Sequence, residues 1–197
     1  SWKIIFYIFG LFSLAVSLFF IILNRDKVLN KKKTESHQFS KREKKTEIVV
    51  SKSLFLFFFF LMLFYVTLES FSASWLAYIF ENTYEISAKD ASVALILFWI
   101  GMILGRFSIV LLSDRYTLWT ALIVSSALIF ITSLLLGLIV VQSIRFILIF
   151  LLGASCGPMW PVIVMVSSII FPTEKYTSGI IGIGAIGFAL VPLVGSL

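Results

Sequence analysis

The chain has 197 residues, of which 60% are hydrophobic and only 13% charged, and its mean hydropathy is +1.07. Soluble domains carry about 25% charged residues, so this chain has too little polar surface to meet water on every side and belongs in a bilayer. The net charge of +6 is gathered in one stretch, and the single cysteine, Cys156, excludes a disulfide framework or a thiolate metal site.

A spanning helix needs about 20 mostly apolar residues. Six segments satisfy this: 1–23, 54–80, 91–112, 118–141, 144–171 and 178–197. Backbone groups cannot stay unpaired in lipid, so each is predicted to be helical. The short alternating segments of a membrane β-barrel are absent from the sequence. The fold class is therefore an all-α, polytopic membrane helix bundle. The first segment lacks the basic start and small-residue cleavage site of a signal peptide. The sequence begins at Ser1 inside one apolar run and stops at Leu197 inside another, so a piece of a longer membrane protein is expected.

Residues 24–53 form the one long polar stretch, with ten Lys and Arg between Arg25 and Lys52. The positive-inside rule places it in the cytoplasm. Arg106, Arg115 and Lys175 then fall on the cytoplasmic side, and only Lys3, Lys89 and Arg145 outside. Each cation near anionic lipid contributes about 1 kcal/mol, which accounts for the loop as a lipid-facing connector without invoking nucleic acid. The single histidine, His37, is expected to be a solvated residue of this loop.

The second segment holds the residue hardest to place in lipid, Glu69, within LFYVTLESFSASWLAYIF. A charged side chain at mid-bilayer costs about 2.5–3.5 kcal/mol on insertion scales. Tyr65 and Ser72 share its helical face by i, i+4 and i, i+3 spacing. Ser70, Ala73, Ser74 and Ala77 permit close helix contact. Such a face should look into the bundle or a wet cavity, as a solute or proton site or as a structural carboxyl bonded to a neighbouring helix.

The third segment closes on FWIGMILGRFSIVLLSDR. Gly101 and Gly105 form a G-x-x-x-G that lets another backbone approach. Arg106 shares a face with Asp114, and either snorkels toward the cytoplasm or pairs with a carboxylate. Asp114 and Arg115 mark a tight turn before the fourth segment, which offers no chemistry. The fifth contains GASCGPMWP, where Gly153, Gly157, Pro158 and Pro161 predict a break or bend, needed for a binding site or only for packing. The sixth reads SGIIGIGAIGFALVPLVG. Its G-x-G-x-x-G has no preceding strand and no following acid, so a dinucleotide site is excluded. The glycines instead suit a helix that rocks against a neighbour. No catalytic constellation, metal cluster or phosphate loop appears, so no enzyme, cofactor or metal is expected.

Together the segments resemble the C-terminal half of a major facilitator superfamily transporter, helices six to eleven of twelve. The basic stretch 24–53 resembles the linker between the halves, leaving 54–197 as the C-terminal bundle. Gly101, Gly105, Arg106, Asp114 and Arg115 are similar to the second copy of the family's cytoplasmic loop signature, although Val110 stands where the pattern has glycine. YVTLESFSASWLAYIF, through Tyr65, Glu69 and Trp75, is similar to helix seven of the fucose–proton symporter group, as are GPMWP and SGIIGIGAIG to its helices ten and eleven. The resemblance implies a proton-coupled carrier of a small solute, a sugar or related metabolite, in the cell membrane, working by alternating access. Glu69 would bind solute or proton with Ser72 beside it. Tyr65, Trp75 and Trp160 would line the cavity, and Asp114 and Arg115 would hold the cytoplasmic gate. It also implies a preceding N-terminal half as partner. An efflux antiporter of the same fold, or a receptor-like member without transport, is the alternative.

Overall fold

In hydrocarbon a spanning segment must close its own backbone hydrogen bonds. A computed structural model describes residues 4, 6–8, 10–15, 18, 52–112, 117–171 and 173–195, and every regular element among them is helical. These elements are α1 (Phe6–Ala15), α2 (Lys52–Tyr84), α3 (Ala88–Leu112), α4 (Leu118–Leu138), α5 (Gln142–Cys156), α6 (Met159–Ile170), α7 (Glu174–Ala189) and α8 (Val191–Gly195). Five stretches are long and apolar enough to cross a membrane: α2, α3, α4, α5 with α6 as one span, and α7 running on to Leu193.

Helix ends follow backbone capping rather than hydropathy, so several expected limits move. α2 starts at Lys52, inside the stretch read as linker, and runs to Tyr84; α7 begins at Glu174 rather than 178. α3 is capped by Ser87, whose hydroxyl accepts from the Asp90 amide at 3.2 Å and donates to its carboxylate at 2.9 Å. α4 is capped by Thr117, which accepts from the Thr120 amide.

The turn between α2 and α3 is tight. The Ile86 amide reaches back to the Phe80 carbonyl at 3.4 Å, and Glu85 sits at φ 54°. Glu85, just past the end of α2, is thus in the left-handed region, where glycine is favoured. A Cβ in that conformation costs about 1–2 kcal/mol, and the Glu85 side chain is exposed. Glu85→Gly is therefore expected to stabilise the protein by about 0.5–1 kcal/mol, net of glycine's larger unfolded-state entropy. Chemical unfolding of the purified protein in micelles measures this.

The helices alternate in direction. α1 runs antiparallel to α2, with Phe12 stacked on Phe64 at 4.2 Å and Phe6 edge-on to Phe71 at 5.9 Å. It also touches α4, where the Ser13 hydroxyl donates to the Ser126 carbonyl. At one end of the bundle Phe55 and Phe58 meet Phe171, and Phe55 meets Tyr176, tying the start of α2 to the α6–α7 turn. At the other end Arg145 is buried, donates from Nε to the Ile139 carbonyl at 2.8 Å and lies 3.4 Å from the Tyr84 ring centroid. This cation–π contact joins the last turn of α2 to the α4–α5 turn.

The most extensive packing is between α3 and α5. The two run parallel, and each carries two glycines four apart. A Cβ on Gly101 would strike the Phe150 carbonyl oxygen, and one on Gly105 that of Ala154. In return, a Cβ on Gly153 would strike the Phe98 carbonyl, and one on Gly157 that of Met102. Backbone thus lies on backbone, with carbonyl oxygens against glycine Cα atoms. Away from this seam α3 exposes Ile96, Ile103, Phe107 and Leu111, an apolar face suited to lipid.

Candidate functional site

A charge at bilayer depth needs a partner or water. Glu69 lies near the middle of α2, about 25 Å from Lys52 and about 22 Å from Tyr84 at 1.5 Å per residue. Arg106 of α3 meets it: Nη2 lies 3.5 Å from Oε1, with the Glu69 side chain 16% exposed and that of Arg106 51%. Of the two partners the sequence left open for Arg106, the cytoplasmic surface or a carboxylate, the geometry shows a carboxylate, and it is Glu69. Asp114 and Arg115 lie outside the described residues, as do His37 and residues 24–51.

The glycine seam fixes where Arg106 stands. Gly105 is pressed on Ala154, and a Cβ on Gly157 would come within 2.9 Å of the Arg106 amide nitrogen. Pro158 has no N–H to give the Ala154 carbonyl, and that oxygen is the one lying against Gly105. The chain passes from α5 to α6 here with Gly157 at φ −50°, ψ −48° and Pro158 at φ −68°, ψ −25°. The dihedrals stay helical, so the break at Gly157 and Pro158 is a loss of hydrogen bonds rather than a turn of the chain. Pro161, in the first turn of α6, likewise has no N–H for the Gly157 carbonyl, while the ladder resumes with the Val162 amide on the Pro158 carbonyl at 3.1 Å.

Immediately after the break, Trp160, Pro161 and Arg106 line an open cleft of about 480 Å³. On its other side Trp160 rests on α7, where a methyl on Gly184 would come within 3.2 Å of the ring. α7 is held to α2 by Gly187, packed against Leu63 and Val66, and by the Thr67 hydroxyl, which donates to the Gly187 carbonyl at 3.2 Å. Gly182 faces open space.

Tyr65, one turn before Glu69, is buried with its hydroxyl toward the carboxylate, short of a hydrogen bond of regular geometry. Ser72 is buried as well, and its hydroxyl has no hydrogen-bond partner. Cys156, fully buried at the end of α5, comes within electrostatic reach of both Tyr65 and Glu69. Behind Tyr65 a cavity of about 20 Å³ is bounded by Ser13, Ile129 and Met159 among others, room for one water. Trp75 stands apart from the cleft. Six residues beyond Glu69 put it about 120° round the helix, where its ring packs edge-on against Tyr78 at 5.6 Å.

The structure therefore gathers Glu69, Tyr65, Arg106 and Trp160 about the cleft and the buried face beside it. Gly101 and Gly105 become the seam that places Arg106. The pairing of Gly153 and Gly157 with them was masked in the sequence by the neighbouring prolines, although the shared four-residue spacing was its signal. Among the described residues no group of three or more His, Cys, Asp or Glu is placed to hold a metal. What the site offers is a largely buried carboxylate, a half-open guanidinium and an aromatic wall.

The family model of the Major Facilitator Superfamily matches residues 1–197. No curated protein and no solved structure matches the chain.

Proposed function

This chain belongs to the Major Facilitator Superfamily, a family of multi-pass secondary transporters rather than enzymes, and from that premise we propose that it forms the C-terminal half of a proton-coupled carrier of a small sugar-like metabolite in the cell membrane. The observation that carries the reading is Glu69, midway along α2, paired with an Arg106 that lines an open cleft. A carboxylate so deep in the bilayer is costly unless it works or is neutralised. Here its partner is half exposed and 3.5 Å away, a loose lock that solute or proton can open.

In this proposal the cleft is one wall of a central site, and a preceding N-terminal half supplies the other. Trp160 stacks on the apolar face of a ring-shaped solute. The two halves rock about the site, presenting it to each side in turn. Residues 24–51 are the cytoplasmic linker, and Asp114 and Arg115 hold the cytoplasmic gate. Glu69 carries the coupling proton.

The test is Glu69→Gln in the intact protein, reconstituted in liposomes. With no membrane potential, a one-to-one proton symporter sustains about tenfold accumulation per pH unit, the equivalent of about 1.4 kcal/mol. The variant is expected to lose accumulation entirely while still exchanging labelled for unlabelled solute. Accumulation that persists in the variant removes Glu69 from the coupling step.

A further inference from the structure

The charges on the rim of the cleft constrain the solute itself. Resting on the transport reading above, we infer that the site takes a solute bearing a carboxylate, which displaces Glu69 from Arg106 and thereby obliges Glu69 to accept a proton. Among the described residues Arg106 is the only charged one lining the cleft with Trp160 and Pro161, and half its side chain is exposed. Its bond to Glu69 is single and long, one Nη2–Oε1 contact of 3.5 Å. The same Nη2 also reaches the Met102 sulfur at 3.5 Å, and no bond is made by Nε or Nη1 among the described residues. The fork of donors that a guanidinium offers a carboxylate is therefore unfilled.

The net charge at this depth then selects which states can move. The groups facing Glu69 are Tyr65 from its own helix, Arg106 from α3 and Cys156 from α5. Trp160 of α6 and Gly184 and Gly187 of α7, packed on α2 beside it, carry no titratable group. With Tyr65 and Cys156 in their neutral forms, the empty site holds Arg106 positive and Glu69 negative and is neutral. A solute carboxylate on Arg106 with Glu69 still ionised leaves one negative charge. A proton taken from water onto a Glu69 carboxylate oxygen restores neutrality. Loaded-with-proton and empty-without-proton are the two neutral states, and a charged intermediate at mid-bilayer is costly. One anion therefore travels with one proton. A neutral sugar fails the same count, because protonating Glu69 beside it would leave Arg106 uncompensated.

The experiment uses the intact protein in liposomes with three labelled pairs, each an acid and its neutral counterpart: glucuronate and glucose, gluconate and glucitol, lactate and propane-1,2-diol. In at least one pair the acid is expected to be taken up about tenfold faster or more than its neutral partner. That uptake should rise when the external pH is lowered and should not respond to a potassium–valinomycin potential. Arg106→Gln should reduce it by about thirtyfold or more, while Arg106→Lys, which keeps the charge and loses the fork, should retain a measurable part. Neutral partners carried as fast as the acids, or acid uptake that moves net charge, overturns the anion assignment and leaves the transport reading standing. If no member of any pair is carried or exchanged, the transport reading falls, and the anion assignment with it.

Discussion

Gly105→Leu is expected to prevent assembly of the folded bundle, and Gly105→Ala to destabilise it by about 3 kcal/mol, the upper part of the usual range for overpacking. The magnitude follows from what a Cβ would meet. At Gly105 it runs into the carbonyl oxygen, carbonyl carbon and Cα of Ala154, all of them backbone. A side chain in the way could turn aside, but the backbone of a packed helix can give only by separating α3 from α5 along the whole seam. Gly101, Gly153 and Gly157 meet backbone in the same manner, so relief at one position strains the other three. Gly182 is the internal control. It is also mid-helix, and nothing lies within 4 Å of its would-be Cβ. Gly182→Ala should therefore be neutral or stabilising by up to about 1 kcal/mol through helix propensity alone. Thermal midpoints and monodispersity of the purified variants in micelles separate the two classes. Equal behaviour of Gly105→Ala and Gly182→Ala would mean that the α3–α5 contact contributes little to assembly.

The spans were legible because hydropathy over about 20 residues is a property of composition, independent of what each helix touches. Glu69 was legible for the same reason: an acid in an apolar run stands out before any partner is known. Its partner was not. Arg106 is 37 positions away in the sequence, and the nearer candidate by helical spacing was Asp114. Only the antiparallel return of α3 alongside α2 brings the guanidinium to Glu69. The glycines of α5 were read through the prolines beside them as a bend. The helical dihedrals at Gly157 and Pro158 show that the local chain hardly turns there. Their role belongs to the contact with α3, and a single helix taken alone cannot express it. Trp75 was grouped with Glu69 by family resemblance, whereas its angular position on α2 turns it to another face. The helix limits at Lys52, Tyr84 and Glu174 depend on caps and turn hydrogen bonds, to which a hydropathy window is blind.

Removing Arg106 is expected to cost more than removing Glu69, and removing both to cost less than removing Arg106 alone. Arg106→Gln leaves a carboxylate on a short side chain about 22 Å or more from either end of α2. Its charge then has no other cation among the described residues within ion-pair distance. The cost should be about 3 kcal/mol, the lower end for breaking a buried pair, because half of the arginine was open to begin with. Glu69→Gln frees a long, half-exposed side chain only six residues, or about 9 Å, from the end of α3. Its guanidinium can swing toward the polar boundary, so about 1 kcal/mol is expected. The double variant leaves no charge stranded and should fall within about 1 kcal/mol of the unaltered protein. The resulting coupling energy of about 3–4 kcal/mol is well above the scatter of additive pairs. Unfolding of the four proteins in one micelle system closes the cycle. Additive costs would show that the two charges do not meet in the folded protein, and the site proposed at mid-span would lose the contact on which its coupling and its anion selectivity both depend.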